Sequence, residues 1–234
     1  MYQVITRARK VPLALVCKIT KRRWTFRAKF CHRLSSRRHS TDHALVVCYP
    51  PKMLVRITES DGLLLDLRYA TSENFTGRAL YSRPIALLRP EARDRLLLAA
   101  ERASLIDLKL KIYDAFRPLE VQRVLWGSTT NRRFVADPLM GGGHNRGSAV
   151  DLTLVRKSDG AELEMGTDFD DMTGRSAHDS LEISPEAVRN RALLLGIMTS
   201  VGWSSYRAEW WHYHLLELSS CPPLSSADVP EGPM

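Results

Sequence analysis

Hydrophobic and polar residues alternate strictly along Leu108-Lys109-Leu110-Lys111-Ile112-Tyr113, the period of a strand with one face on a core. The same period returns in Ala149-Val150-Asp151-Leu152-Thr153-Leu154. There Val150, Leu152 and Leu154 are expected on the core side, with Asp151 facing the other way beside Ala149 and Thr153. Residues 63–69 read as a further strand running into a polar loop at 70–77. Residues 206–216, rich in aromatics, read as a last strand. Helical spacing occurs three times. Pro90 opens a helix reaching about Ser104, with Leu96, Leu97, Ala100 and Ala103 as its buried side. Proline suits the first turn, where its missing N–H would have no partner. Residues 119–126 form a short helix after Pro118. Ser184 is a good N-cap and Pro185 a good first residue for a third helix. Its stripe is Val188, Ala192, Leu195 and Met198, and it stops at Gly202. Ser158-Asp159-Gly160 marks a turn, and residues 164–171 form an acidic loop. Strands and helices alternate irregularly, which makes the fold class α+β.

Composition changes this picture at the two ends. The chain has 234 residues, 44% hydrophobic and 26% charged, as soluble globular proteins do. No apolar run approaches the roughly 18 residues needed to span a bilayer. The net charge of +8 is uneven. Residues 1–52 hold 13 Lys/Arg and a single acid, Asp42, whereas the remainder holds 21 basic and 25 acidic residues. Three of the four cysteines lie in the same front end, and none falls between Met53 and Ser220, so no disulfide framework is expected in the core. Three readings of the front end stay open. It is a contact for nucleic acid or anionic lipid, an Arg-rich targeting peptide, or a poorly ordered extension translated from an early start codon, with Met53 as the alternative start. The expected organisation is a basic extension at 1–52, a catalytic domain at 53–218 and a loose Pro- and Ser-rich tail at 219–234.

Candidate chemistry sits in two short runs. Gly141-Gly142-Gly143-His144-Asn145-Arg146-Gly147-Ser148-Ala149-Val150-Asp151 offers an imidazole and a carboxylate seven positions apart. Glu209-Trp210-Trp211-His212 offers a carboxylate and an imidazole three apart. A catalytic zinc takes three protein ligands of this kind and leaves a fourth position to water. Two His and one Asp meet that count, and one Glu is left over as a base. His214 is a rival ligand, because a regular strand would put it on the same face as His212. In such a strand residues 209 and 212 point to opposite faces, so the backbone must bend or bulge if both serve one site. Of Trp210 and Trp211, one is expected in the core and the other on a pocket wall.

Six blocks in order carry a resemblance. They are Tyr69-Ala70-Thr71 with Asn74-Phe75-Thr76-Gly77; Tyr113-Asp114-Ala115-Phe116-Arg117-Pro118; His144 to Leu154; Met165-Gly166-Thr167 with Phe169-Asp170; Arg175-Ser176-Ala177-His178; and Glu209-Trp210-Trp211-His212-Tyr213. Over roughly residues 63–216 the chain resembles the D-alanyl-D-alanine dipeptidases, zinc enzymes known from vancomycin resistance. Their superfamily also holds D,D-carboxypeptidases and the hedgehog signalling domain. The resemblance implies a zinc D,D-peptidase/hedgehog-like α+β fold, a small, mostly antiparallel sheet with flanking helices. It implies one Zn²⁺ per chain on His144, Asp151 and His212, with Glu209 as general base and then acid, and Arg117 stabilising the transition state. Tyr69 and Asp170 would grip the dipeptide, Asp170 at its free ammonium. Gly142 and Gly143 stand where the family can carry serines that help hold substrate, so the exact dipeptide preference is open. The implied reaction is hydrolysis of D-Ala-D-Ala, with a D,D- or L,D-carboxypeptidase acting on peptidoglycan stem peptides as the alternative. The implied partner is a small D,D-dipeptide, with no nucleic acid required. The implied compartment is the cytoplasm, with a periplasmic or exported form left open. His178 is expected to be structural.

Overall fold

The computed structural model describes residues 53–234; the front-end readings for residues 1–52 lie outside the described residues. Seven strands and three α-helices are found there: β1 Val55–Ile57, β2 Leu64–Leu65, β3 Ala86–Leu88, α1 Pro90–Ser104, β4 Leu108–Asp114, α2 Leu119–Ser128, β5 Ala149–Arg156, α3 Pro185–Thr199, β6 Ser204–Tyr206 and β7 Glu209–His214. The main sheet has the order β2-β4-β5-β7-β6. Only the β2–β4 pair is parallel, and β1 and β3 form a separate antiparallel ribbon. The fold is therefore α+β with a mostly antiparallel sheet.

The strictly alternating segments become the central strands β4 and β5, paired from Leu108↔Arg156 to Asp114↔Asp151. Val150, Leu152 and Leu154 join Leu96, Leu194 and Met198 in the main core. The other face of β5 is not open to water, because Ala149, Asp151 and Thr153 are buried too. A carboxylate held there needs partners. Among the described residues no helix is long and apolar enough to cross a membrane.

Four expectations change. Residues 63–69 hold only the two-residue strand β2, and Arg68–Ala70 turns as a 3-10 helix. In α1 the buried face is Ala92, Leu96, Ala99, Ala100 and Ala103, with Leu97 at its edge. In α3 the buried stripe is Ala187, Arg191, Leu194, Ile197 and Met198, one position off the expected one, and Val188 is 46% exposed. The reason is that an arginine occupies the core face. Residues 219–234, expected to be loose, pack on the domain. Cys221, Leu224 and Val229 are buried, Leu224 N–H donates to Asn145 O at 2.7 Å, and Leu119 N–H donates to Leu224 O at 3.1 Å.

Candidate metal centre and substrate cavity

Three elements bring the site together. Ahead of β5 a single 3-10 turn, His144–Arg146, ends at Gly147 with φ +66°, a left-handed conformation suited to glycine. Asn145 ties this turn down: its side-chain amide donates to Arg117 O at 2.8 Å and its Oδ1 accepts from Gly142 N–H at 2.7 Å. Gly143 lies so close to β5 that a Cβ there would stand 2.8 Å from the Ala149 Cβ. This close approach brings His144 over the start of the strand that carries Asp151. The third element is the β6–β7 hairpin. Residues 206–216 are not one strand, and pairing slips between Ser205↔Tyr213 and Tyr206↔Glu209. That bulge aims residues 209 and 212 at one place: Glu209 Oε2 is 3.8 Å from His212 Nδ1.

His144 Nε2, Asp151 Oδ1 and His212 Nδ1 form a closed triangle with sides of 3.2, 3.1 and 3.0 Å. His144 Nδ1 lies 2.7 Å from Ala115 O. A carbonyl only accepts, so that nitrogen carries the proton, and a neutral His144 turns a bare lone pair towards the carboxylate. His212 Nδ1 has at most one proton to share between two neighbours. The triangle is therefore short of protons and suited to a cation. Ligands of a tetrahedral zinc, bound at about 2.05 Å, stand roughly 3.3 Å apart. The donor set and its spacing fit such an ion. His214 is not in this group; its ring lies 5.5 Å from that of His212, on the cavity wall.

Electrostatics follow from burial. Burial opposes charging His144, yet Asp151 and Asp114 together raise its pKa, whereas burial wins at His212 and lowers it. Burial, with Asp151 and Asp170 nearby, pushes the Glu209 carboxyl well above the usual range, against the pull of Arg117. Asp170 is raised to about 7 by burial and by Asp151, against Arg117 and the Tyr69 hydroxyl. It is one of two non-glycine residues with positive φ among those described, at +62°. Its Oδ2 accepts from Tyr69 Oη at 2.9 Å.

Arg117 is held from several sides. Its Nη2 lies 2.7 Å from Asp114 and 3.4 Å from Asp151, its Nη1 donates to Gln122 at 3.1 Å, and its guanidinium lies 4.9 Å above the Tyr69 ring. Asp114, fully buried and also accepting from Tyr81 Oη at 2.6 Å, is a residue that sequence reasoning did not single out, as are Gln122 and the Ala115 carbonyl. The only signal was an Asp three positions before the Arg.

These groups line a cavity of about 510 Å³, within the range that takes small molecules. Tyr69, Arg117, Asp170, Glu209 and Trp211 face it together with the triangle. Trp210 turns away, and its Nε1 donates to Thr167 Oγ1 at 2.8 Å. Gly142 and Gly143 lie on the cavity wall. His178 stands apart, its ring 6.0 Å from Tyr213.

A family described as D-ala-D-ala dipeptidase matches residues 58–221. The D-alanyl-D-alanine dipeptidase of Escherichia coli K12 is 40% identical over 163 residues, covering 70% of this chain and 84% of its own. That of Enterococcus faecium is 32% identical over 174 residues, covering 66% and 86%. That of Streptomyces coelicolor is 32% identical over 182 residues, covering 67% and 87%. A solved LD-carboxypeptidase aligns with 56% of this chain and 59% of its own at 20% identity, with a TM-score of 0.36.

Proposed function

The chain belongs to the D-ala-D-ala dipeptidase family of metallopeptidases, and from that premise we propose that it hydrolyses D-Ala-D-Ala to two D-alanines with one Zn²⁺ on His144, Asp151 and His212. The observation that carries this reading is the proton-poor triangle with Glu209 and Arg117 at its edge. When bound, the zinc would acidify a water and polarise the scissile carbonyl.

The remaining work falls to the chain's own side chains. Glu209 takes a proton from the attacking water and later gives it to the departing nitrogen, which leaves poorly as an anion. Burial, with Asp151 and Asp170, raises its pKa, the direction that favours a carboxyl able to hand a proton on. Arg117 meets the negative charge that develops on the carbonyl oxygen; a preorganised donor of this kind contributes about 3 kcal/mol. Asp114 and Gln122 hold the Arg117 fork so that no reorganisation is needed at that moment. Asp170 pairs with the free ammonium of the dipeptide, and Tyr69 orients the Asp170 carboxylate. The Gly142 N–H is already given to Asn145 Oδ1, so it is the Gly143 N–H that takes part of the role that serine hydroxyls would have. The partner is then a small D,D-dipeptide, with no call on nucleic acid.

Glu209→Gln, assayed with D-Ala-D-Ala, loses about 10²–10⁴ in kcat and keeps its zinc. A variant as active as the parent would mean that another group is the base. Cleavage of a stem pentapeptide but not of the free dipeptide would turn the assignment towards a carboxypeptidase.

A further inference from the structure

Helix α3 buries an arginine where its neighbours Ala187, Leu194 and Met198 are small or apolar. Arg191 is 2% exposed, and no carboxylate lies within ion-pair distance of it among the described residues. Two of its three nitrogens are spent on backbone, and Nη2 is buried without a hydrogen-bond partner. Nε donates to Met165 O at 2.6 Å, and Nη1 donates to Arg175 O at 2.9 Å and to Ala177 O at 2.8 Å. Burial, with Arg175 nearby, lowers its pKa to about 10. A buried charge hydrogen-bonded only to neutral carbonyls, with Asp171 acting on it from beyond ion-pair distance and the Trp210 ring 5.8 Å away, costs stability, and a methionine would fill the space without that cost. What the guanidinium offers instead is geometry: a planar fork reaches carbonyls on two separate strands of backbone, which an ammonium point charge does poorly.

Those three carbonyls sit at the two ends of one loop, residues 165–177. Inside the loop Thr167 accepts from Trp210 Nε1. The Phe169 ring packs against Tyr69, Tyr113 and Trp211, with centroids 6.1, 4.9 and 5.5 Å away. At the turn stands Asp170 with its positive φ, a conformation that persists only where the surroundings hold it. Asp170 faces the catalytic cavity, whereas Arg191 does not line it.

We propose that Arg191 is a positioning residue for substrate recognition: by clamping both ends of the 165–177 loop it sets where the Asp170 carboxylate stands, and with it how strictly a free ammonium is demanded. This rests on the reading of Asp170 as the ammonium's partner. The clamp acts first on recognition of the amino end; the zinc-ligand candidates and Glu209 belong to other elements, and Glu209 feels the loop only through the charge of Asp170.

The test uses the full chain, zinc-loaded, with D-Ala-D-Ala and with propionyl-D-Ala, which lacks the ammonium but keeps the scissile amide. The readout is the ratio of kcat/KM between the two. In R191K and R191Q this ratio falls about tenfold, chiefly through a higher KM for D-Ala-D-Ala, while kcat/KM for propionyl-D-Ala stays within about threefold of the parent. Amide exchange rises in residues 165–177 and not in β5. An unchanged ratio, or a loss shared equally by both substrates, overturns the proposal. So does failure of both variants to fold and retain zinc, which would make Arg191 a residue of the fold itself. D170N separates the two claims. If D170N collapses the ratio and the Arg191 variants do not, only the Arg191 assignment falls. If D170N leaves the ratio intact, the ammonium reading falls and takes this one with it.

Discussion

Tyr69 and Asp170, 101 residues apart in the chain, meet through a hydrogen bond of 2.9 Å from the phenol to the carboxylate. The contact stabilises the charged form of an acid that burial and Asp151 otherwise push up to about 7. Tyr69→Phe removes one donor from that carboxylate, so its pKa rises further and a smaller fraction is ionised at neutral pH. KM for D-Ala-D-Ala should rise about 3- to 10-fold, the worth of one hydrogen bond, with kcat changed less. With the ionised form as the proposed partner of the ammonium, KM should fall as pH rises through the Asp170 pKa. The midpoint of that fall should lie at higher pH in Tyr69→Phe, and steady-state kinetics between pH 6 and 9 would check it.

The triangle of His144, Asp151 and His212 predicts a large response to metal removal. Chelation should abolish hydrolysis and lower the melting temperature, and added Zn²⁺ should restore both. A metal present at 1,000 times its dissociation constant stabilises by about 4 kcal/mol, or roughly 10 °C for a domain of this size. Differential scanning calorimetry of chelated and reloaded protein measures this. A melting temperature indifferent to chelator would argue against the ion.

The glycines beside His144 should not be equivalent. A Cβ at Gly143 meets the Ala149 Cβ at 2.8 Å and the His214 Cβ at 3.4 Å, so Gly143→Ser must displace the loop from β5. We expect it to cost about 1–3 kcal/mol of stability and to lower zinc affinity. At Gly142 the added atom meets the Ala136 Cβ at 3.1 Å, which a small shift relieves, and Asn145 Oδ1 at an ordinary 3.8 Å. Gly142→Ser should fold normally and lower KM by restoring a hydroxyl to the cavity wall. Urea unfolding and KM measured on both variants would distinguish the two positions.

His178 should give the protein an acid-sensitive component. Its Nε2 is buried without a partner, and burial, then Arg191, lower its pKa to about 4. Between pH 6.5 and 4 the unfolded chain therefore binds this proton and the folded chain does not, so stability falls as pH falls across that window. The loss at pH 4.5 is about 2 kcal/mol. His178→Gln should remove that part of the pH dependence, read as the difference between parent and variant in urea melts at pH 7 and 4.5.

The strands β4 and β5 were legible because each is a strict alternation long enough to fix its register, and the His144–Asp151 run because its glycines allow only a tight turn before a strand. The bend at 209–212 followed from requiring two side chains three apart to share a site, but the hairpin that supplies it did not. Its turn at Arg207-Ala208 carries none of the Gly, Asn or Pro that usually announces one. Asp114 and Gln122 stayed hidden because their role depends on Arg117 folding back on them. The Ala115 carbonyl, which fixes the proton on His144, has no side-chain signature at all. The buried face of α3 differs from the expected stripe because Arg191, whose charge gives no apolar signal, lies on it. Proline and serine at 219–234 suggested looseness, yet a few well-spaced apolar residues were enough to seat the segment.

That seated segment also changes how the molecule can be handled. The Leu224 amide is bonded to the carbonyl of Asn145, immediately after the zinc-ligand candidate His144, and the Leu224 carbonyl caps the start of α2. A truncation before residue 224, or a fusion that pulls on that stretch, would reach the candidate metal centre through the bond to Asn145 and the start of α2 through the other. An affinity tag at this end therefore bears on a segment bonded beside the candidate metal centre, and purification strategy becomes an experimental variable.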